Sequence, residues 1–248
     1  MPELNHISAN LQDIRNAVKK RAVASGRIAD DITLIAVSKT FPVESVIASY
    51  LAGQLDFGEN KAQEMCSKYE TLSKSSDYQR IKWHLVGHLQ TNKVKSVVPF
   101  VSLIHSLSSF HLVEKIQNEA AKIGRTINCL VQVNTSGEEQ KSGIAAGEVI
   151  RLVSEASQMK NIRIRGLMTI AKFIDDYHDE KQRAIVRGNF RELKKLFDEL
   201  AADAIPGVEM KYLSMGMTSD YDIALEEGSN MLRIGTAIFG KRNISGNN

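Results

Sequence analysis

The chain has 248 residues, of which 43% are hydrophobic and 25% charged, so it is long enough for one large core and has the composition of a globular protein. Its 32 lysines and arginines against 29 acidic residues give a net charge of +3, a surplus too small to favour a nucleic acid as a partner. No apolar run approaches the ~18 residues of a membrane span, and Met1–Arg21 lacks the apolar core of a secretory signal.

The two cysteines bear on the cellular compartment. Cys66 and Cys129 lie in unrelated segments without a Cys-x-x-Cys spacing, which indicates free thiols rather than a disulfide framework. Free thiols are typical of a reducing compartment. We therefore expect a cytoplasmic protein.

Predicted helices and strands alternate along the chain. Apolar residues at spacings of three and four predict an amphipathic N-terminal helix within residues 1–26, and the apolar run Leu34–Lys39 predicts the first strand. Further strands are predicted at residues 55–58, 81–87, 101–107, 127–134, 162–170, 210–215 and 231–234. Helices are predicted at residues 42–53, 60–72, 109–123 and 146–159, from 182 through 200, and at 219–227.

The number of these elements indicates the fold class. Eight short strands alternating with helices in 248 residues predict an α/β protein, a (β/α)8 TIM barrel with an extra N-terminal helix. No linker-like stretch divides the chain, so residues 1–248 are interpreted as a single domain with a polar tail at 241–248. An open doubly wound sheet is the alternative, but it normally has fewer strands.

Lys39 closes the first predicted strand, where a cation is unusual. Burying an ammonium group is costly unless it is paired or chemically used, although a lysine at a strand end can also extend into solvent. Strand alternation directs Ile35, Val37 and Lys39 toward the barrel axis, and it directs Arg233 and Gly235 of the last strand inward as well. Two inward cations on neighbouring strands require an anion.

Glycines and hydroxyl residues follow the last two predicted strands, where barrels often bind phosphate. They are Ser214, Gly216, Thr218, Ser219, Gly235 and Thr236. Each segment alone could be ordinary turn and cap chemistry, and Ser219 is expected to cap the helix that follows it. Both segments together favour a phosphate site.

A phosphate beside a buried lysine indicates either a class I aldolase-type Schiff base or pyridoxal phosphate held on the lysine. Arg233 favours the second, because a guanidinium can donate a hydrogen bond to the pyridine nitrogen but keeps its own proton. The ring nitrogen then stays unprotonated, and the ring is a poor electron sink. That arrangement suits limited chemistry, or simply carrying the cofactor, better than it suits transamination.

Other positions admit both a structural and a functional interpretation. His84 and His88 have the spacing of a zinc pair on a helix, but at a strand end this spacing does not bring both to one face, so no metal is expected. His84 is interpreted as a pocket wall or a polar core residue. Asn60 could support the site or cap the following helix. The segment Lys141–Gly143 is as consistent with a surface turn as with an anion-binding loop.

Six motifs stand in order along almost the whole chain. They are Ala36–Lys39 (AVSK), Phe57–Asn60 (FGEN), Trp83–Lys93 (WHLVGHLQTNK), Arg165–Ile170 (RGLMTI), Leu213–Met217 (LSMGM) and Arg233–Gly240 (RIGTAIFG). With these motifs the chain resembles the pyridoxal phosphate homeostasis protein family, the YggS/PROSC group. That family consists of single-domain relatives of the alanine racemase N-terminal barrel.

The resemblance implies that Lys39 forms a Schiff base with pyridoxal 5'-phosphate and that Arg233 faces the pyridine nitrogen. It also implies a phosphate site at Ser214, Thr218, Gly235 and Thr236, and a pocket lined by Asn60, His84 and Met168. Thr218 stands where the family usually has serine and keeps the hydroxyl, so we expect no loss of binding. The expected partners are the cofactor and apoenzymes that use it, and the expected state is a monomer.

The resemblance also bears on catalysis. A two-base racemase needs a second base opposite the lysine, and in the alanine racemase relatives a tyrosine from a C-terminal domain of the partner subunit provides it. This chain ends eight residues after Gly240, so we expect that base to be absent. The implied function is to hold pyridoxal phosphate and maintain its homeostasis, without an established catalytic reaction. The alternatives are a pyridoxal-phosphate-dependent enzyme, such as a weak amino-acid racemase, and a cofactor-free Schiff-base aldolase.

Overall fold

The fold is a closed barrel of parallel strands inside a ring of helices, in a computed structural model that describes residues 5–138, 140 and 142–241. Its strands are β1 (Thr33–Val37), β2 (Asp56–Glu59), β3 (Lys82–Leu85), β4 (Leu103–Leu107), β5 (Ile127–Asn134), β6 (Ile144–Ala145), β7 (Ile162–Met168), β8 (Val208–Ser214) and β9 (Met231–Ile234). The pairing of β4 with β5 closes eight parallel strands into the barrel, and the short β6 is attached to the end of β5. This confirms the predicted (β/α)8 fold.

Helices follow most of the strands and surround the barrel. They are α1 (Asn5–Ala24), α2 (Val43–Leu51), α3 (Ala62–Leu72), α4 (Val94–Val97), α5 (Phe110–Lys122), α6 (Val149–Ser157), α7 (Glu180–Ala202), α8 (Tyr221–Glu226) and α9 (Thr236–Phe239). The sequence did not predict α4 and α9, because each has only four residues and a single turn shows no helical period.

Alternate residues of the strands belong to two separate apolar layers. Ile35 and Val37 pack with Met168 and Met231 in a cluster inside the barrel, whereas Ala36 belongs to the larger cluster between the barrel and the helices. This is the alternation that the sequence predicts for the first strand.

The first strand is nevertheless shorter than predicted. β1 ends at Val37, so Lys39 lies in the turn beyond it and strand alternation no longer directs its side chain. The strand ends here because Thr40 has a left-handed backbone conformation, with a φ of 68°, which an extended strand cannot contain. The Lys39 side chain is half-buried.

The N-terminal helix completes the ring of helices at the seam between β9 and β1. There α9 is only one turn long, and α1 packs against α9, α8 and α2. The Asn10 amide donates to the Ile238 carbonyl at 3.0 Å, which joins α1 to α9. The Arg15 guanidinium donates to the Ala52 carbonyl at 2.9 Å and to Gln54 Oε1 at 3.1 Å, which joins α1 to the end of α2. The predicted extra helix therefore takes the place of a long eighth helix.

Some sequence predictions concern features away from the barrel. Cys66 and Cys129 are both free thiols. Within the described ranges, no helix is both long enough and apolar enough to cross a membrane. Lys141 and residues 242–248 of the predicted polar tail lie outside the described residues.

If α1 completes the ring, truncating its buried face should destabilise the fold. Leu11 is fully buried, so Leu11→Ala should lower the free energy of unfolding by about 2–5 kcal/mol, measured by chemical denaturation. Val23 on the same helix is 61% exposed, and Val23→Ala should change that free energy by no more than about 0.5 kcal/mol. Equal losses in the two variants would contradict this role for α1.

Candidate functional site

The carboxyl ends of the parallel strands form one mouth of the barrel, and most of the predicted site residues lie there. Lys39 follows β1, Asn60 follows β2, Met168 ends β7, and Gly235 and Thr236 follow β9. The closed barrel thus brings together residues from distant parts of the chain. β1 and β9 are paired directly, with Ile35 opposite Arg233.

Arg233 is a buried cation below this mouth. Its side chain is almost inaccessible, with 4% of the residue exposed. Nη1 donates to Ser214 Oγ at 2.7 Å, and Nη2 donates to the Thr169 carbonyl at 2.8 Å. Burial lowers the pKa of Arg233 to about 10, so the guanidinium still carries its charge at neutral pH. These contacts leave further N–H donors available to a ligand.

Asp220 is the carboxylate whose charge acts on Arg233. It is buried and accepts a hydrogen bond from the Met217 N–H at 2.6 Å. Burial raises its pKa, and the opposing effects of the Met217 N–H and of Arg233 are smaller. Asp220 is also the residue before α8, so the prediction that Ser219 caps this helix was wrong. Between Met217 and Asp220, the Thr218 side chain is half-buried.

Two glycines allow the segments after β8 and β9 to approach their neighbours closely. Gly216 has a φ of 95°, and a Cβ there would lie 2.6 Å from the Ala224 Cβ, so a side chain would displace α8. A Cβ on Gly235 would lie 3.1 Å from the Val37 carbonyl oxygen. Gly235 therefore brings the start of α9 against the end of β1, next to the turn that holds Lys39.

Polar contacts hold the turn that contains Lys39 on both sides, and those on the Ser38 side are buried. The Ser38 hydroxyl donates to Glu59 Oε1 at 2.6 Å, and Lys68 Nζ donates to the Ser38 carbonyl at 2.8 Å. The Thr40 N–H donates to Glu64 Oε1 at 2.6 Å. The backbone before and after Lys39 is thereby held in place, and Lys39 projects from a rigid turn.

A buried ion pair supports this turn. Lys68 Nζ lies 2.6 Å from Glu59 Oε1 and 2.8 Å from Glu64 Oε1. Burial raises the pKa of Glu59, and the charge of Lys68 opposes that shift. The sequence analysis missed the pair. The available signal was the position of Lys68 on the buried stripe of α3, between Met65 and Leu72.

Ser214 and Thr236 have different surroundings, although both were predicted to bind phosphate. Thr236 is exposed at the start of α9, whereas Ser214 is fully buried at the end of β8. The Ser214 hydroxyl already contacts Arg233 and also lies 3.1 Å from His105 Nδ1. Its contact with a phosphate stays a prediction.

His84 faces the interior of the barrel and the opposite mouth. Its Nδ1 lies 3.0 Å from His105 Nε2, and its Nε2 lies 3.0 Å from Asp56 Oδ1. Asp56 begins β2 and borders a cavity of about 260 Å³ at the amino ends of the strands. His88 is exposed, so the two histidines do not converge. In the part of the chain that the structure describes, no three His, Cys, Asp or Glu side chains are grouped to hold a metal.

His105 is a site-related residue that the sequence analysis missed. It is fully buried in the middle of β4, between His84 and Ser214. Burial holds the pKa of His105 well below its ordinary value, with smaller effects from His84 and Arg233. A histidine and a serine between the apolar residues of a short predicted strand were the signal that could have identified it.

Asn60 and Met168 complete the set of predicted pocket residues. Asn60 is half-buried, and a Cβ on Gly87 would lie 2.2 Å from its carbonyl oxygen, so the segments after β2 and β3 are in close contact. Lys61, not Asn60, is the residue before α3, so the capping alternative for Asn60 was wrong. Met168 is fully buried in the interior cluster.

Comparisons with known proteins agree with this architecture. A family model described as alanine racemase, N-terminal domain, matches residues 3–243. The pyridoxal phosphate homeostasis protein of Vibrio alginolyticus is 36% identical over 98% of this chain and 100% of its own length. The protein of the same name from Aquifex aeolicus is 38% identical over 94% of this chain and 96% of its own.

A solved structure extends these similarities. The structure of PipY from Synechococcus elongatus with PLP bound is similar to this chain with a TM-score of 0.78 and 31% identity. The match covers 94% of this chain and 100% of PipY.

The buried ion pair beneath the Lys39 turn leads to a stability prediction. Lys68→Met would leave the Glu59 carboxylate buried without its cation, and should lower the free energy of unfolding by about 3–5 kcal/mol in chemical denaturation. The double variant Glu59→Leu/Lys68→Met removes both charges and should recover much of that loss. A double variant as unstable as the single one would show that the unpaired charge is not the cause.

Proposed function

The chain belongs to the pyridoxal phosphate homeostasis protein family, and from that membership we propose that it holds pyridoxal 5'-phosphate as a Schiff base on Lys39. By holding the cofactor reversibly, the protein limits the free aldehyde and contributes to the homeostasis of pyridoxal phosphate in the cell. The relative from Synechococcus elongatus with PLP bound supports the choice of ligand.

In this proposal, different groups at the carboxyl mouth contact the three parts of this cofactor. Its aldehyde can condense with the amine of Lys39, forming a carbon–nitrogen double bond with loss of water. Its pyridine nitrogen can accept a hydrogen bond from Arg233. Its phosphate can be held by the hydroxyls of Thr218 and Thr236 and by the backbone of Gly235, where the lack of a side chain permits close approach. In this proposal the Ser214 hydroxyl supports Arg233 rather than the phosphate, because it already contacts Arg233 and His105.

The single observation that carries the proposal is the buried Arg233 guanidinium below the mouth that also contains Lys39. A buried cation with spare donors suits a neutral acceptor such as a pyridine nitrogen, particularly one attached to an anionic phosphate. The fold alone does not require a buried arginine at this position, because replacing buried charges by apolar residues often leaves the stability of a protein unchanged.

Arg233 also limits the chemistry. Pyridoxal phosphate, when bound, supplies an aldehyde for the lysine and a ring that can accept electrons. Arg233 keeps its proton at neutral pH, because its pKa is still about 10. It therefore donates a hydrogen bond without transferring a proton to the ring nitrogen, and the ring remains a weak electron sink. This favours holding the cofactor over turning over a substrate.

The other predicted pocket residues have different places in the proposal. Asn60 and Met168 line the pocket near the ring. Direct contact between His84 and the cofactor is no longer proposed, because both of its ring nitrogens lie within hydrogen-bond distance of Asp56 and His105.

We place this function in a single domain that acts as a monomer in the cytoplasm, where Cys66 and Cys129 stay reduced, and that passes the cofactor to apoenzymes. A second candidate is a pyridoxal-phosphate-dependent enzyme such as a weak racemase. The observation that favours it is the match to the alanine racemase N-terminal domain. The names of the relatives favour the homeostasis role.

The covalent linkage can be tested with Lys39→Ala. Purified wild-type protein with pyridoxal phosphate should be yellow, and borohydride reduction should attach the cofactor to Lys39, as mapped by mass spectrometry. Lys39→Ala should lose the covalent adduct and keep some phosphate-anchored cofactor, because the two contacts are independent. Lys95→Ala, at an exposed position, should behave as wild type.

The same preparations decide between the two candidates. If they are given L- and D-amino acids, multiple turnovers that depend on Lys39 would contradict a holding function and support the enzyme. A wild-type protein that stays colourless after addition of pyridoxal phosphate would contradict both and favour a cofactor-free aldolase.

The phosphate contacts lead to a prediction for Thr236→Ala. Losing a hydrogen bond to a charged group should weaken pyridoxal phosphate binding by ~1–2 kcal/mol, measured as an increase in Kd. The matched control is Thr71→Ala, an exposed threonine on α3. An unchanged Kd in Thr236→Ala would show that the phosphate lies elsewhere.

A further inference from the structure

A chain of hydrogen bonds runs through the barrel interior from Arg233 to the opposite mouth. Arg233 Nη1 lies 2.7 Å from Ser214 Oγ, and Ser214 Oγ lies 3.1 Å from His105 Nδ1. His105 Nε2 lies 3.0 Å from His84 Nδ1, and His84 Nε2 lies 3.0 Å from Asp56 Oδ1. All of these residues except Asp56 are buried.

The chemistry of the groups determines the direction of each hydrogen bond. Arg233 can only donate, so it donates to the Ser214 oxygen and leaves the hydroxyl hydrogen for His105 Nδ1. His105 is neutral because its burial disfavours the charged form, and a ring that accepts at Nδ1 carries its proton on Nε2. His105 therefore donates to His84 Nδ1, and His84 in turn donates from Nε2 to the Asp56 carboxylate. Every hydrogen bond points from the arginine toward the aspartate.

We propose that Asp56, His84 and His105 are positioning residues that orient the Ser214 hydroxyl and so hold the Arg233 guanidinium in place as a donor toward the pyridine nitrogen. This inference rests on the proposed function, in which Arg233 faces the cofactor ring. The carboxylate of Asp56 fixes the tautomer of His84, and that tautomer fixes the tautomer of His105. The Ser214 hydroxyl then has an acceptor on one side only, so its lone pairs face the arginine.

This series of hydrogen bonds explains why polar residues that do not touch the proposed cofactor lie inside the barrel. Neutral histidines in the barrel interior are costly unless both ring nitrogens have partners. Lys82 Nζ lies 3.8 Å from Asp56 Oδ2, but its side chain is exposed. Lys82 thus lies at the same mouth of the barrel as Asp56 but is not a member of the series of hydrogen bonds. It is therefore a matched control position.

The test compares two substitutions at His105. His105→Leu removes the acceptor of the Ser214 hydroxyl, whereas His105→Asn keeps an amide oxygen near the position of Nδ1. The measured quantities are the Kd for pyridoxal phosphate and the ¹⁵N chemical shift of cofactor labelled at the ring nitrogen. We expect His105→Leu to raise Kd at least about fivefold and to shift the ring-nitrogen signal toward that of a pyridine without a hydrogen bond. His105→Asn should restore both quantities most of the way to wild type.

Asp56→Leu provides a second route at a position that is only half-buried. It removes the carboxylate that accepts from His84 Nε2, so the ring-nitrogen signal should shift in the same direction as in His105→Leu. Lys82→Ala should leave that signal unchanged. If His105→Leu does not fold, the ring-nitrogen signal of Asp56→Leu tests the inference instead. Unchanged ring-nitrogen signals in the folded variants would overturn the inference, as would equal effects of His105→Leu and His105→Asn.

Borohydride trapping on Lys39 separates this inference from the proposed function. Each variant should still form the Lys39 adduct, because the series of hydrogen bonds acts on the nitrogen end of the cofactor ring and the adduct forms at its aldehyde. A wild-type protein that forms no adduct on Lys39 would overturn the proposed function and this inference with it. An intact adduct together with an unchanged ring-nitrogen signal would overturn the inference alone.

Discussion

A buried positive charge is the constraint on which the rest of the site depends. Arg233 would destabilise the barrel by several kcal/mol if its charge and its N–H groups had no partners. Ser214, the Thr169 carbonyl and Asp220 provide them, and these three come from the ends of β7 and β8 and the segment that follows β8. The buried arginine therefore requires hydrogen-bond acceptors or a negative charge at these strand ends. It also makes the mouth suitable for a ligand that offers an acceptor and a negative charge.

The proposed covalent linkage on Lys39 makes a second requirement, because it needs the lysine amine in a constant place. The buried pair of Lys68 and Glu59 holds the backbone before Lys39, and Glu64 holds the backbone after it. In the proposed function, two elements on paired strands, the lysine turn and the arginine, face one ligand from two sides. Such a site can bind a reactive aldehyde reversibly, while an arginine that keeps its proton restrains the reactivity of the ring. This combination fits a protein that holds its cofactor.

Local periodicity predicted the parts of this structure that depend on neighbours in the sequence. The strands, the barrel and the inward direction of Arg233 follow from alternation within regular segments. The predicted extension of the first strand to Lys39 was wrong, because the contacts of Glu64 and Lys68 that shape the turn there come from α3. His105 was missed because its partner Ser214 lies 109 residues away along the chain. Long-range polar contacts of this kind leave little trace in the spacing of apolar residues.

The central claim is that Lys39 and Arg233 face one cofactor molecule from two sides. The most direct measurement is a crystal structure of the full chain with pyridoxal phosphate bound. The account predicts continuous electron density between Lys39 Nζ and the cofactor aldehyde carbon, and a guanidinium nitrogen of Arg233 within hydrogen-bond distance of the pyridine nitrogen. A cofactor bound at the same mouth with its ring nitrogen turned away from Arg233, or linked to another lysine, would contradict it.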